Sequence, residues 1–243
     1  MPQDYYQKDP GHRESDKKLL LLTNGCSWTK GSGLADTSLN WSYWLGQHLN
    51  VSDLVNLSRG GGSNDRIFRT TWDWLSQHAS NRTEKIIAVI QWTELSRYEY
   101  YVPLSQDIKE NIHDQWAMCK IDYVHSNEPM LSLEQKIHRT NQHLSTYTHV
   151  QGSYKLLMCC EALANIFRSY NVQYFFWNLA FGLRSAPDHV MQRLSQYTWL
   201  DEDPVHGKQH WTYERISDRD PHPSLLGHQQ IADQIYHKIK NLV

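Results

Sequence analysis

The sequence of 243 residues lacks most of the features that assign a chain quickly. It has no dominant charge: 24 Lys and Arg stand against 26 Asp and Glu, a formal net charge of −2. With a pI near 6.7, there is no electrostatic case for nucleic acid or an anionic membrane as partner. Long hydrophobic runs are missing too, and no stretch approaches the roughly 18 apolar residues of a membrane span. The N-terminal MPQDYYQKDPGHRESDKK holds no apolar segment of the kind a signal peptide needs. The chain reads as soluble and made in the cytoplasm. Cysteine is scarce. Cys26, Cys119, Cys159 and Cys160 form no CxxC pair, which argues against a zinc knuckle and leaves a reducing compartment as the default. Cys159 and Cys160 fall in an apolar helical pattern and read as buried thiols. Internal repeats and low-complexity tracts are absent.

Aromatic and titratable residues are abundant: ten Trp, fourteen Tyr and fourteen His. The aromatics suit packing, and also a cleft lined for sugars or other ligands. His206 and His210 stand four apart in a Pro- and Gly-containing loop with no obvious third ligand, so no metal site is expected.

The chain is organised around Leu19 to Gly33, LLLLTNGCSWTKGSG. Four leucines stopped by Thr23-Asn24-Gly25 predict a buried strand of a parallel sheet covered on both faces. Such sheets bind ligands beyond the carboxyl ends of their strands, where Ser27 falls. Residues 1–17, polar and charged, read as an N-terminal arm, and 18–243 as one domain. Helical spacing of Trp41, Trp44, Leu45 and Leu49 predicts an amphipathic helix over 40–49, followed by a short strand at 53–57. Next comes the loop Gly60-Gly61-Gly62, with Ser63, Asn64 or Asp65 placed to cap a helix over 67–78. The loop is neither GxGxxG nor followed by GK[ST], so a nucleotide site is a poor reading. A β-branched strand is predicted at 85–92, with Glu94, Arg97 and Glu99 beyond it as an ion-pair network or a substrate contact. Residues 98–150 read as a largely helical insertion. A helix over 152–170, a strand over 172–177 and a last helix over 225–239, capped by Ser224, complete the pattern. Strand and helix alternate, which predicts a three-layer α/β/α domain with a central parallel sheet.

Three pieces follow predicted strands: Ser27, the glycine loop and His222. They are the parts an acyl-transfer site needs, a hydroxyl nucleophile, an imidazole base and N–H donors for the oxyanion. Asp218 and Asp220 stand close to His222 and either could orient its ring. Cys26 is a weaker nucleophile candidate than Ser27, since the two side chains should diverge. His206, His210 and His228 are rivals of His222, the last within the predicted helix.

The stretch Gly25-Cys26-Ser27-Trp28-Thr29-Lys30-Gly31 resembles the first block of the SGNH (GDSL-like) hydrolases. Asn56-Leu57-Ser58-Arg59-Gly60-Gly61 is similar to their second block and Asp220-Pro221-His222-Pro223 to their last, over about 19–97 and 172–241. The nearest likeness is to a divergent GCSxTxG branch associated with tailed phages and environmental bacteria. The resemblance implies a flavodoxin-like SGNH fold and a serine esterase or deacylase that needs no cofactor or metal. In it Ser27 is the nucleophile, His222 the base and Asp220 its partner, with oxyanion donors from the N–H groups of Ser27 and Gly61. A small ester, with an O-acetylated carbohydrate favoured, is the implied substrate, and a virion setting follows if the chain is phage-encoded. Three departures stand out. Cys26 replaces the family's Asp before Ser. Asp falls two or four residues before His rather than three, which leaves Asp218, or a Ser–His dyad oriented by a backbone carbonyl, as alternatives. The family's Gly-x-Asn-Asp block falls near Gln91-Trp92-Thr93-Glu94 with no Asn, so Gln91 or Thr93 would have to supply the third donor. These departures keep a second reading open, a non-catalytic binding or structural module on the same fold.

Overall fold

A computed structural model of the chain describes residues 18–101, 116–119, 132–178, 183, 186–201 and 211–243. The expected arm at 1–17, His206 and His210 lie outside the described residues. The leucine run forms β1 (Leu19–Asn24), and a single-turn helix α1 (Ser27–Lys30) follows at once. Then come α2 (Trp41–Leu49), β2 (Asp53–Asn56), α3 (Asn64–His78) and β3 (Lys85–Trp92). The order continues with β4 (Tyr98–Tyr101), β5 (Trp116–Cys119), α4 (Leu133–Thr146), α5 (His149–Ser169), β6 (Gln173–Asn178), α6 (Asp188–Leu194) and α7 (Leu225–Ile239).

The main sheet is parallel, in the order β2-β1-β3-β6. Beyond β6, Phe176 pairs with Trp199 in a parallel bridge, so the chain at 198–200 takes a fifth strand's place. This is flavodoxin-like order, with the switch point between β1 and β3.

Alternate side chains of the strands build two cores. Leu20, Leu22, Ile86, Ala88, Ile90 and Phe176 face α3, α5 and α6, where Ile67, Leu75, Leu156, Leu163 and Phe167 meet them. Leu21, Ile87, Val89, Phe175 and Trp177 face α2 and α7, through Trp41, Leu45, Ile231, Ile235 and Ile239. β1 reads as an unbroken leucine run because both of its faces are covered. Each fully buried leucine contributes about 1.5–3 kcal/mol through burial. The expected three-layer α/β/α architecture is the one observed.

Helix starts are set by side chains that accept orphan N–H groups. Asn40 caps α2, Ser63 caps α3 and Ser224 caps α7. α5 begins at His149 rather than at 152, because Thr148 and Gln151 form a capping box. Two strands went unforeseen. β4 and β5 pair antiparallel as a separate two-stranded sheet within 98–150, a segment read as largely helical. Its described helices, α4 and the start of α5, lie at 133–150.

Candidate active site

The Ser27 turn is assembled from the end of β1. Asn24 is fully buried, and its Oδ1 accepts the Gly25 N–H at 2.8 Å. Its Nδ2 faces the Ile67 carbonyl and the hydroxyls of Thr70 and Thr71 on α3. The turn is thus pinned to the helix that follows the glycine loop. Asn56, at the end of β2, donates to the Thr29 carbonyl at 3.1 Å and accepts from the Ser58 N–H and hydroxyl. One amide thereby joins the first two sequence blocks.

The glycine loop lies on the same turn. The Arg59 N–H donates to the Gly25 carbonyl at 3.4 Å. A Cβ at Gly62 would stand 3.2 Å from that carbonyl oxygen, and Gly61 has φ +74°, a conformation that favours glycine. Neither the Ser27 nor the Gly61 N–H donates to a backbone acceptor among the described residues.

His222 arrives on a strap, residues 211–224, laid along α7. The Ile216 N–H donates to the His222 carbonyl at 2.9 Å, and the Ser224 N–H to the Glu214 carbonyl at 2.9 Å. Gln230 and Gln234 of α7 hold the strap through Glu214 and Thr212. Its first residue, Trp211, is buried and donates its indole N–H to Asp201 Oδ1 at 2.5 Å. Asp201 Oδ2 accepts the Asn178 N–H. Burial pushes the Asp201 carboxyl up to about 7, against the pull of those two hydrogen bonds.

The result is a continuous chain of polar contacts. His222 Nε2 lies 2.9 Å from Ser27 Oγ, and His222 Nδ1 lies 2.6 Å from Asp220 Oδ1. The same Asp220 oxygen accepts the His222 N–H at 3.0 Å, an Asx turn. These bonds from His222, side chain first, hold the Asp220 carboxyl below the usual carboxylate range. Asp220, not Asp218 or a carbonyl, is the group against the ring. The Trp28 and Tyr213 rings pack edge-on, and Trp28 also lies edge-on to His222.

Other candidates fall elsewhere. Thr93 is fully buried; its N–H goes to Asn64 Oδ1 at 2.9 Å and its carbonyl accepts from Asn64 Nδ2. Only its hydroxyl, without a partner among the described residues, remains to donate. Gln91 lies under the turn with its Oε1 toward Thr29 and Cys26. His228 is fully buried in α7 and accepts the Trp41 N–H on Nδ1. Burial lowers its pKa to about 4, which keeps the ring neutral. Cys26 is buried beneath the turn, as the divergence of neighbouring side chains predicts. Arg97 pairs with Glu94, and Arg69 binds Glu99 through two nitrogens, an ion-pair network beside β4. The sequence presents Asn24 and Asn56 as strand-end residues and Asn64 as a helix-cap candidate; their tertiary hydrogen bonds were not foreseen. Among the described residues no helix is long and apolar enough to cross a membrane.

A family model described as "Family of unknown function (DUF6071)" matches residues 29–221. No curated protein sequence matches the chain. Among solved structures, the chain is similar to the crystal structure of TesA, with 13% identity and a TM-score of 0.52, covering 92% of this chain and 99% of that one. It is also similar to a member of the lipolytic protein G-D-S-L family from Veillonella parvula DSM 2008, with 10% identity and a TM-score of 0.51, covering 93% and 100%. At such identities the likeness is one of fold, and the fold is that of the SGNH (GDSL-like) hydrolases.

Proposed function

The chain belongs to the DUF6071 family, a family of unknown function, and from that premise we propose that it is a serine ester hydrolase. The observation that carries the reading is the chain Ser27 Oγ, His222, Asp220, at 2.9 and 2.6 Å. A hydroxyl, an imidazole and a carboxylate in that order perform acyl transfer. His222 Nε2 takes the Ser27 proton as Oγ attacks the acyl carbon. Asp220 fixes the proton on Nδ1 and offsets the charge that the ring gains. The N–H groups of Ser27 and Gly61 receive the oxyanion. His222 then returns its proton to the leaving alcohol and activates the water that clears the acyl-enzyme.

A short acyl ester fits this chemistry, and an O-acetylated carbohydrate is the favoured class. Tyr213, partly exposed on the strap that carries His222, offers a ring on which a sugar can lie. The test is reaction with a fluorophosphonate. The wild-type chain is expected to label, and Ser27→Ala and His222→Ala are expected not to. A folded wild-type chain that neither labels nor hydrolyses p-nitrophenyl acetate would refute the proposal.

A further inference from the structure

We infer that Gln91 is the positioning residue of the nucleophile turn, acting through the two side chains that flank Ser27; this rests on the reading of Ser27 as nucleophile. Gln91 follows Ile87 and Val89 on the β3 face that meets α2 and α7, at the carboxyl end of the strand. It is fully buried. Its Oε1 accepts the Thr29 hydroxyl at 2.5 Å and faces the Cys26 thiol at 3.8 Å. Cys26 precedes Ser27 and Thr29 follows it by two, so one carbonyl oxygen grips the turn on both sides of the nucleophile. Its Nε2 is buried without a partner among the described residues, so Oε1 alone ties this carboxamide to its surroundings.

Gly25 belongs to the same device. A Cβ there would lie 2.2 Å from Thr29 Oγ1 and 2.7 Å from Gln91 Oε1. Any side chain at 25 would part Thr29 from Gln91. The sequence Gly25-Cys26-Ser27-Trp28-Thr29 thus has a physical meaning: glycine opens the gap, and Cys26 and Thr29 reach through it to the third strand. Ser27 and Thr29 share the single turn of α1. Holding Thr29 fixes the rotation of that turn, and with it the direction in which Ser27 Oγ meets His222. Thr29 and Gln91 are both fully buried, so neither is placed to touch a substrate.

The experiment uses the full chain with Thr29→Val, Thr29→Ser, Gln91→Met and the double variant Thr29→Val/Gln91→Met. Thermal melting establishes that each is folded. For p-nitrophenyl acetate, Thr29→Val and Gln91→Met should each lower kcat by about 10- to 100-fold, the effect of a small misplacement of a reacting group. The rate of fluorophosphonate labelling should fall in parallel, with KM within about twofold, since an unbound group's geometry is what changes. Thr29→Ser keeps the hydroxyl and should retain near wild-type kcat. The double variant should lose no more than the worse single one, because both remove the same bond. Unchanged kcat in the folded single variants, losses that multiply in the double, or an equal loss in Thr29→Ser would overturn the inference. If Ser27→Ala keeps its activity, or the wild type has none, the nucleophile reading has failed instead. The role of Gln91 is then decided without turnover, by the 15N shift of His222 Nε2, which reports its contact with Ser27. A shift in Thr29→Val that Thr29→Ser reverses supports the role, and an unmoved resonance overturns it.

Discussion

At the scale of single residues, the candidate site depends on amides and carboxylates placed to accept or donate one bond each. Asp220 is the clearest case. Its side chain is 41% exposed, so water can partly take its place beside the imidazole. Asp220→Asn should therefore lower kcat by at least about tenfold, yet by less than the roughly 10⁴-fold seen where the acid of a triad is buried. A pre-steady-state acylation assay reads the loss directly, and an unchanged rate would show that the ring needs no carboxylate. Ser27 and His222 were legible in the sequence because each sits in a small polar loop beyond an apolar strand or before an amphipathic helix. Asp220 was legible as the partner of His222, with Asp218 or a backbone carbonyl left open beside it. The Asx turn that selects it, with the His222 N–H bonded to Asp220 Oδ1, is a local signal that Asp-Pro-His carries. Gln91, Asn24 and Asn64 were not legible in their roles, since a buried amide has a role only once its tertiary partners are known.

Elements place these residues, and the most exacting contact is between the strap and α7. A Cβ on Gly227 would stand 2.0 Å from the Glu214 carbonyl oxygen, a backbone atom. Gly227→Ala should push the strap off the helix, at a cost of about 1–3 kcal/mol for overpacking. Melting temperature and kcat should fall together, because the same strap carries Asp220 and His222. A variant with a lower melting temperature and wild-type kcat would contradict the coupling. The long periodic elements were read correctly from sequence: the leucine run of β1, the β-branched β3 and the isoleucine stripe of α7 each have a core on at least one side. β4 and β5 were missed. Each is four residues long, and Tyr98-Glu99-Tyr100-Tyr101 finds its partner, Trp116–Cys119, far along the chain. Local pattern does not encode such a pairing.

On the scale of the molecule, two buried titrating groups give stability opposite pH dependences. The Asp201 carboxyl rises from 3.8 to about 7 on folding. The folded chain then binds more protons than the unfolded chain between those values. This contribution is fully favourable below about pH 4 and is lost as pH rises through about 7. His228 falls from 6.5 to about 4, and its contribution is lost as pH drops through that window. Because His228 is common to both proteins, comparing wild type with Asp201→Asn isolates Asp201. Urea unfolding from pH 5 to pH 8 should show the wild type losing stability relative to the variant as pH rises. A constant difference across that range would contradict a raised carboxyl. The carboxyl group also holds Trp211, the first residue of the strap, so this buried titrating group lies on the path by which the sheet positions the candidate site.

The most direct test of the central claim is mass spectrometry of the intact chain after fluorophosphonate treatment, followed by peptide mapping. The account predicts one phosphonyl adduct per chain, on Ser27, formed by the wild type and absent from His222→Ala. An adduct on another residue, or none on a folded chain, would contradict it.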